Sequence, residues 1–209
     1  MKFSQIKAEI EDKRKDEVVK IFEPDWTDLK KIYDLILEYK PLRVIEFGSG
    51  HSTYVIWAAL HELGRGRLCA LESDPLYYVN NRGRFEDFLA RQDLDNPGGW
   101  PEVGDLIANI VFSPVTDSSR FGMRFTYVPL SEPDFVYIDG PPSCFEKFVC
   151  DNIFDFHPLP KVILIDGREE QVATTIGILG SFYDVTKTKE PWTTVMIKKE
   201  TLAEHFDNE

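Results

Sequence analysis

Arg43-Val44-Ile45-Glu46-Phe47-Gly48-Ser49-Gly50-His51-Ser52-Thr53 decides how the rest of the chain is read. Its first half is a short apolar run and its middle is two glycines flanking a serine. Its continuation places Ile56, Trp57, Leu60 and Leu63 on one helical face, with Gly64 just past the end. That order describes a buried strand, a tight turn and a helix whose first amides point at whatever lies over the turn. Unpaired N–H groups at a helix start favour an anionic or strongly polar ligand.

Outward from this stretch, strand and helix patterns alternate. Upstream, Leu29, Ile32, Tyr33 and Ile36 recur at helical spacing after Pro24 and Asp25, and Pro41 stops the run. Downstream, Arg67 to Leu71 forms a second strand, with Asp74 placed to cap the next helix and Pro75 at its first position. Asn80, Asn81 and Gly83 are expected to interrupt that helix. A loop follows through Asn96 to Pro101, then a third strand from Ile107 to Phe112. Residues 114 to 133 are irregular apart from a short alternation over Arg124 to Val128. Phe135 to Ile138 runs into Asp139. Ser143 to Glu146 has the form of a capping box, opening a helix buried through Phe145, Phe148, Val149, Ile153 and Phe156. Lys161 to Ile165 runs into Asp166, a helix with Val172, Thr175 and Ile176 ends at Gly180, and Phe182 to Lys187 pairs with Thr193 to Lys198 across Pro191.

Such alternation predicts a doubly wound, Rossmann-like α/β fold: a mostly parallel seven-stranded sheet with helices on both faces. The last two strands are joined too closely for a crossover, so they form an antiparallel hairpin. Residues 1–24, rich in both charge signs, are expected to be a charged arm or helix preceding an α/β domain over 25–209. Ligands in this class of fold collect at the carboxyl ends of the strands. Glu46, Glu72, Asp139 and Asp166 all fall at or just before such ends, more acids than helix capping alone accounts for.

The net charge of −12 over 209 residues disfavours a general grip on nucleic acid or an anionic membrane surface. No apolar run approaches the roughly 20 residues that span a bilayer, and the N-terminus turns charged at once. Cys69, Cys144 and Cys150 are too few and too widely spaced for a disulfide framework or a zinc signature. A cytoplasmic location is the expectation.

Gly48-Ser49-Gly50 sits between a strand and a helix, and Glu72 closes the next strand where it could accept from two ribose hydroxyls. Together they point to an adenosine-containing ligand. A dinucleotide site would need a third glycine where Thr53 stands, and no Gly-Lys-Ser/Thr follows for a phosphate loop. At this point the sequence resembles the class I S-adenosylmethionine-dependent methyltransferases, in their small-molecule branch, over residues 25 to 199. Val44 to Gly50 matches the first motif, Ala70 to Asp74 the second, and Phe135 to Gly140 the fourth-strand motif. The resemblance implies S-adenosylmethionine as cofactor. It implies Glu46, Gly48, Ser49 and Gly50 at its methionine part, Ser52 and Thr53 at the helix start, Glu72 with Ser73 at the ribose, and Asp117 at the adenine.

Methyl transfer from a sulfonium is an in-line displacement that asks chiefly for positioning. An oxygen acceptor also needs a proton removed, for which Asp139 is the first candidate and His51 the second. Relatives of catechol O-methyltransferase hold a divalent ion, commonly magnesium, through an acid after the fourth strand and an Asp-Asn pair after the fifth. Asp139 and Asp166 match, but Gly167 stands in the asparagine's place, so no metal site is assigned. Asp139-Gly140-Pro141-Pro142 is similar to the Asp-Pro-Pro-aromatic motif of amino methyltransferases, with a glycine inserted and Ser143 in place of the aromatic. The expected reaction is methylation of a small-molecule acceptor, at oxygen. A catalytically silent domain of the same fold and a NAD-type oxidoreductase are the competing readings, and the sequence says nothing of assembly.

Overall fold

The computed structural model describes residues 1–15, 23–92, 105–118, 120–140, 149–189 and 192–200. The expectations for Asn96 to Pro101, Ser143 to Glu146, Phe148 and Pro191 lie outside these residues. Helix α2 (Trp26–Tyr39) starts where Asp25 accepts the amides of Thr27 at 2.9 Å and Asp28 at 3.2 Å. It ends where Lys40 turns left-handed at φ +48° ahead of Pro41, and Leu29, Ile32, Tyr33 and Ile36 are its buried face. Strand β1 (Arg43–Phe47) is buried from Val44 onward and feeds α3 (His51–Leu63), which is closed by Gly64 at φ +70°. β2 (Arg65–Glu72), α4 (Pro75–Gln92) and β3 (Asp105–Phe112) follow. A ribbon of β4 (Val115–Asp117) and β5 (Met123–Phe125) precedes β6 (Phe135–Ile138), β7 (Val162–Asp166), α5 (Glu169–Leu179), β8 (Tyr183–Lys187) and β9 (Thr193–Lys198).

The main sheet has seven strands in the order β3-β2-β1-β6-β7-β9-β8. β9 runs antiparallel to both its neighbours and the other strand pairs are parallel. Alternate strand residues divide between two cores. Val44, Leu68, Phe135 and Leu164 face α1 (Phe3–Lys15), α2, α3 and α4. Ile45, Leu71, Ile138 and Ile163 face α5, the β5 residue Phe125, and a 3-10 turn over Asp151–Asp155. The chain reverses its direction of winding between β1 and β6. That is the topological switch point, where open α/β sheets hold ligands.

Of the two forms expected for the first charged segment, its described part takes the helix, with Ile6 and Ile10 of α1 0% and 3% exposed in the α2–α3 core. Two expectations need correction. Helix α4 runs unbroken through Asn80, Asn81 and Gly83. Beyond Val149 no α-helix carries Ile153 and Phe156: the 3-10 turn buries Ile153, and Cys150 bridges to Met123 of the ribbon. A hydrophobic spacing of three to four residues does not distinguish these two kinds of helical turn.

Candidate functional site

Glu72, Glu46, Asp139 and Asp166 stand at the carboxyl ends of β2, β1, β6 and β7, or one residue beyond, four strands adjacent in the sheet. With strands about 4.8 Å apart, the row spans roughly 15 Å. Its midpoint is the switch point. There the turn after β1 and the end of β6 touch backbone to backbone. Asp139 N donates to Phe47 O at 2.9 Å, and Gly48 N donates to Leu71 O at 2.8 Å on the other side.

Two glycines make that contact. Gly48 has φ +107°, a conformation L side chains rarely adopt. A Cβ on Gly140 would lie 2.8 Å from Gly48 N and 2.9 Å from Phe47 O. The glycine inserted after Asp139 is thus a steric requirement. Gly50 differs: its φ of 176° is ordinary extended backbone, and a Cβ there would meet no atom of the described residues within 4 Å. No packing among the described residues calls for a glycine at that position.

Glu46 is fully buried beneath the turn. Ser52 Oγ donates to its Oε1, and Thr53 Oγ1 donates to Oε2 at 2.7 Å, while Thr53 Oγ1 also accepts from Gly50 N at 3.1 Å. Loss of water raises the Glu46 pKa to about 8; the two hydroxyls oppose the shift, and Asp139 and Glu72 add to it. Glu72 accepts from Ser73 N at 2.8 Å, Asp74 N at 3.0 Å and Ser49 Oγ at 2.7 Å. Asn81 Nδ2 then donates to both Ser49 O and Ser49 Oγ, each at 3.0 Å. Asn81 therefore repays its poor helix propensity by bracing the turn from α4. From sequence alone it is only a helix breaker.

The other half of the row is less saturated. Asp139 is half-exposed at its side chain, yet the strand ends crowd it enough to lift its pKa to about 7. Desolvation acts first and Asp166 second, with Arg168 opposing. Arg168 Nη2 donates to Asp139 O and stands 3.7 Å from Oδ1, its side chain only 14% exposed. Asp166, also raised chiefly by desolvation, accepts from Tyr137 OH at 3.2 Å. Asp28, from the first turn of α2, is raised to about 6 by desolvation and then by Asp166.

Of the expected site residues, Glu46, Gly48, Ser49, Gly50, Ser52, Thr53, Glu72 and Ser73 form one connected cluster. Ser52 and Thr53 reach it as buried supports of Glu46, and Ser73 through its amide. His51 opens α3 directly after Gly50. Asp117 is not brought in. It is an exposed residue of β4 paired with Met123, and Phe112 and Ser113 are the residues beside Glu72. Ser113 N donates to Glu72 O at 2.8 Å, and its buried hydroxyl accepts from Tyr127 N at 2.9 Å. Sequence reasoning missed Asn81, Ser113 and Asp28. It assigned no role to Arg168, although its place just after a strand-ending Asp-Gly is a signal. Beside Asp166, Gly167 turns at φ +53° and offers no side chain. Among the described residues, no three His, Cys, Asp or Glu side chains are grouped to hold a metal. Nor is any helix among them long and apolar enough to cross a membrane.

No family model and no curated protein matches the sequence. Solved structures do match the fold. A Podospora anserina methyltransferase bound to S-adenosylhomocysteine aligns with a TM-score of 0.55 at 13% identity, over 95% of this chain and 86% of that one. A methyltransferase of Geobacter sulfurreducens aligns at 0.54 and 11%, over 93% and 89%. The precorrin-6y C5,15-methyltransferase of Geobacter metallireducens aligns at 0.50 and 17%, over 88% and 94%. At such identities the likeness is one of architecture, and it agrees with the strand order and the reversed β9. The chain has the fold of the class I S-adenosylmethionine-dependent methyltransferases.

Proposed function

We propose that this protein is an S-adenosylmethionine-dependent methyltransferase that modifies a small-molecule acceptor at oxygen. The observation that carries the reading is the turn Gly48-Ser49-Gly50. Among the described residues nothing packs over Gly50, and a buried carboxylate, Glu72, is one hydrogen bond away at Ser49. An acid hydrogen-bonded to Ser49 suits ribose hydroxyls, which can share or replace the serine donor. The buried Thr53 where a third glycine would be needed disfavours a pyrophosphate. The Podospora protein, with S-adenosylhomocysteine bound in the same fold, supports the choice of cofactor.

Bound S-adenosylmethionine supplies a methyl group already activated by its sulfonium. The residues of this chain then position and accept a proton. Gly48 to Gly50 hold the amino-acid end, and Glu72, braced by Ser73, Asp74 and Ser49, holds the ribose. Asp139 lies across the switch point from them. Its raised pKa lets one of its carboxyl oxygens take the acceptor's hydroxyl proton near neutral pH. Arg168 fixes the Asp139 backbone through its carbonyl and limits how far that pKa rises. Asp166 and Tyr137 border the same end of the sheet.

Calorimetry with S-adenosylmethionine, S-adenosylhomocysteine and NAD tests the cofactor. Binding of the two sulfur ligands without NAD is expected, and binding of NAD alone would overturn the reading. Cofactor binding with no methyl transfer to a broad panel of hydroxylated acceptors would leave a silent binding domain instead.

A further inference from the structure

A cavity of about 210 Å³ opens beside the Asp166 end of the acid row, between the turn after β7 and the β8–β9 hairpin. Gly167, Arg168, Lys187, Trp192 and Thr194 line it, together with Glu169. Its floor is closed where Gly167 N donates to Trp192 O at 2.9 Å. Three features bear on what would enter it. Arg168 and Lys187 against Glu169 leave the lining with one net positive charge, in a chain whose own net charge is −12. Trp192 is 58% exposed, an unusual amount of aromatic surface to leave in water, and it lines the cavity. Arg168 also contacts Asp139, so the cavity adjoins the group proposed to take the acceptor's proton.

We infer that this cavity is the acceptor subsite and that it selects an aromatic hydroxyl compound carrying a carboxylate. The inference rests on the methyltransferase reading for the acceptor's fate, not for its binding. A cavity of roughly 150 Å³ is enough to hold a benzene ring, so 210 Å³ accommodates a ring with a small substituent. The indole of Trp192 offers the ring a flat apolar surface. The Lys187 ammonium supplies the positive charge for a carboxylate on the hairpin side of the cavity. With the carboxylate held there, the hydroxyl at the far side of the ring lies at Arg168, the lining residue that contacts Asp139. The hydroxyl proton passes to the Asp139 carboxylate as the oxygen lone pair bonds to the methyl carbon. The carbon–sulfur bond breaks toward sulfur, giving the methyl ether, S-adenosylhomocysteine and a protonated Asp139.

The test is ligand-detected NMR titration of three phenols matched in size: 4-hydroxybenzoate, the neutral 4-hydroxybenzamide and the cationic tyramine. Each is measured with and without S-adenosylhomocysteine. 4-Hydroxybenzoate should bind at least tenfold more tightly than the amide, and tyramine most weakly. Lys187→Glu, on a solvent-exposed strand position, should cut the benzoate preference to under threefold and leave S-adenosylhomocysteine affinity unchanged. Trp192→Ala should weaken benzoate and benzamide alike. With S-adenosylhomocysteine bound, equal affinity for the three phenols, preference for tyramine, no phenol binding, or a benzoate preference indifferent to Lys187→Glu would each overturn the subsite. Selective benzoate binding by a protein that takes no S-adenosylhomocysteine would keep the subsite and remove the methyltransferase reading.

Discussion

At the ends of β1 and β2 all four carboxylate oxygens of Glu46 and Glu72 meet hydrogen-bond donors. At the ends of β6 and β7, Asp139 has a guanidinium 3.7 Å away and Asp166 a tyrosine hydroxyl. Nearby, Asp28 Oδ1 is buried with no hydrogen-bond partner among the described residues. The first pair is built like a mould, with its shape set before any ligand arrives. Burial outweighs the donors at Glu46 too, but that carboxyl is sealed beneath the turn, whereas the Asp139 side chain is half-exposed and can exchange its proton with a ligand. In the proposed reaction this division would separate the groups that hold the cofactor from the one that faces the acceptor.

The largest effect that could break this comparison comes from Glu46, where donors and burial compete most strongly. Its pKa is raised to about 8 in the folded protein, so the native state binds a proton that the unfolded chain releases near its ordinary value of 4.5. Stability is therefore highest below the unfolded pKa and falls as pH rises toward and past 8. The total loss from this group is roughly 4–5 kcal/mol. Urea denaturation between pH 5 and 9 should show the fall, and Glu46→Gln should flatten most of it. Asp139→Asn should change the slope less, because solvent reaches half of that side chain. A slope that survives Glu46→Gln would place the strained proton elsewhere.

A smaller effect sharpens the binding half. Glu72→Ala should weaken S-adenosylhomocysteine binding by about 1–3 kcal/mol, the scale of losing hydrogen bonds to a buried charged group. The same substitution should leave 4-hydroxybenzoate affinity within twofold. Calorimetry would read both, and equal losses for the two ligands would mean the halves are not separable. The smallest effect on stability belongs to Gly50→Ala. Its extended φ and the space around it predict a change within about 1 kcal/mol, in the stabilising direction. S-adenosylhomocysteine affinity should nonetheless fall tenfold or more. Unchanged affinity on titration would show that no ligand passes over Gly50.

The legible parts of this molecule are those in which a residue answers to its immediate neighbours in sequence. Asp25 before α2, Asp74 before α4 and Gly64 after α3 act within a few residues. Central strands such as Val162 to Ile165 are apolar on both faces because both faces are covered. The strand-ending acids were legible for the same reason, since each follows directly from its strand. What escaped depends on partners far along the chain. Asn81 is explained only by Ser49, 32 positions away, and Arg168 only by Asp139, 29 positions away. Asp28 gains its meaning from Asp166. Asp117 shows the same dependence: the β4–β5 ribbon, of which only the alternation from Arg124 was legible, carries it off the row. Glu46, Ser52 and Thr53 were found, but as a buried brace beneath the turn.

The contact of Gly48 with Gly140 has a mechanical consequence. With the two backbones already at van der Waals distance, and each tied to Phe47 or Leu71, the crevice at the switch point can neither narrow nor splay without breaking strand hydrogen bonds. It is a notch of constant width, a gauge cut into the sheet. Closure over a ligand bound there would have to come from elsewhere in the chain. The distance between Gly48 and Asp139 would stay the same whatever the notch held.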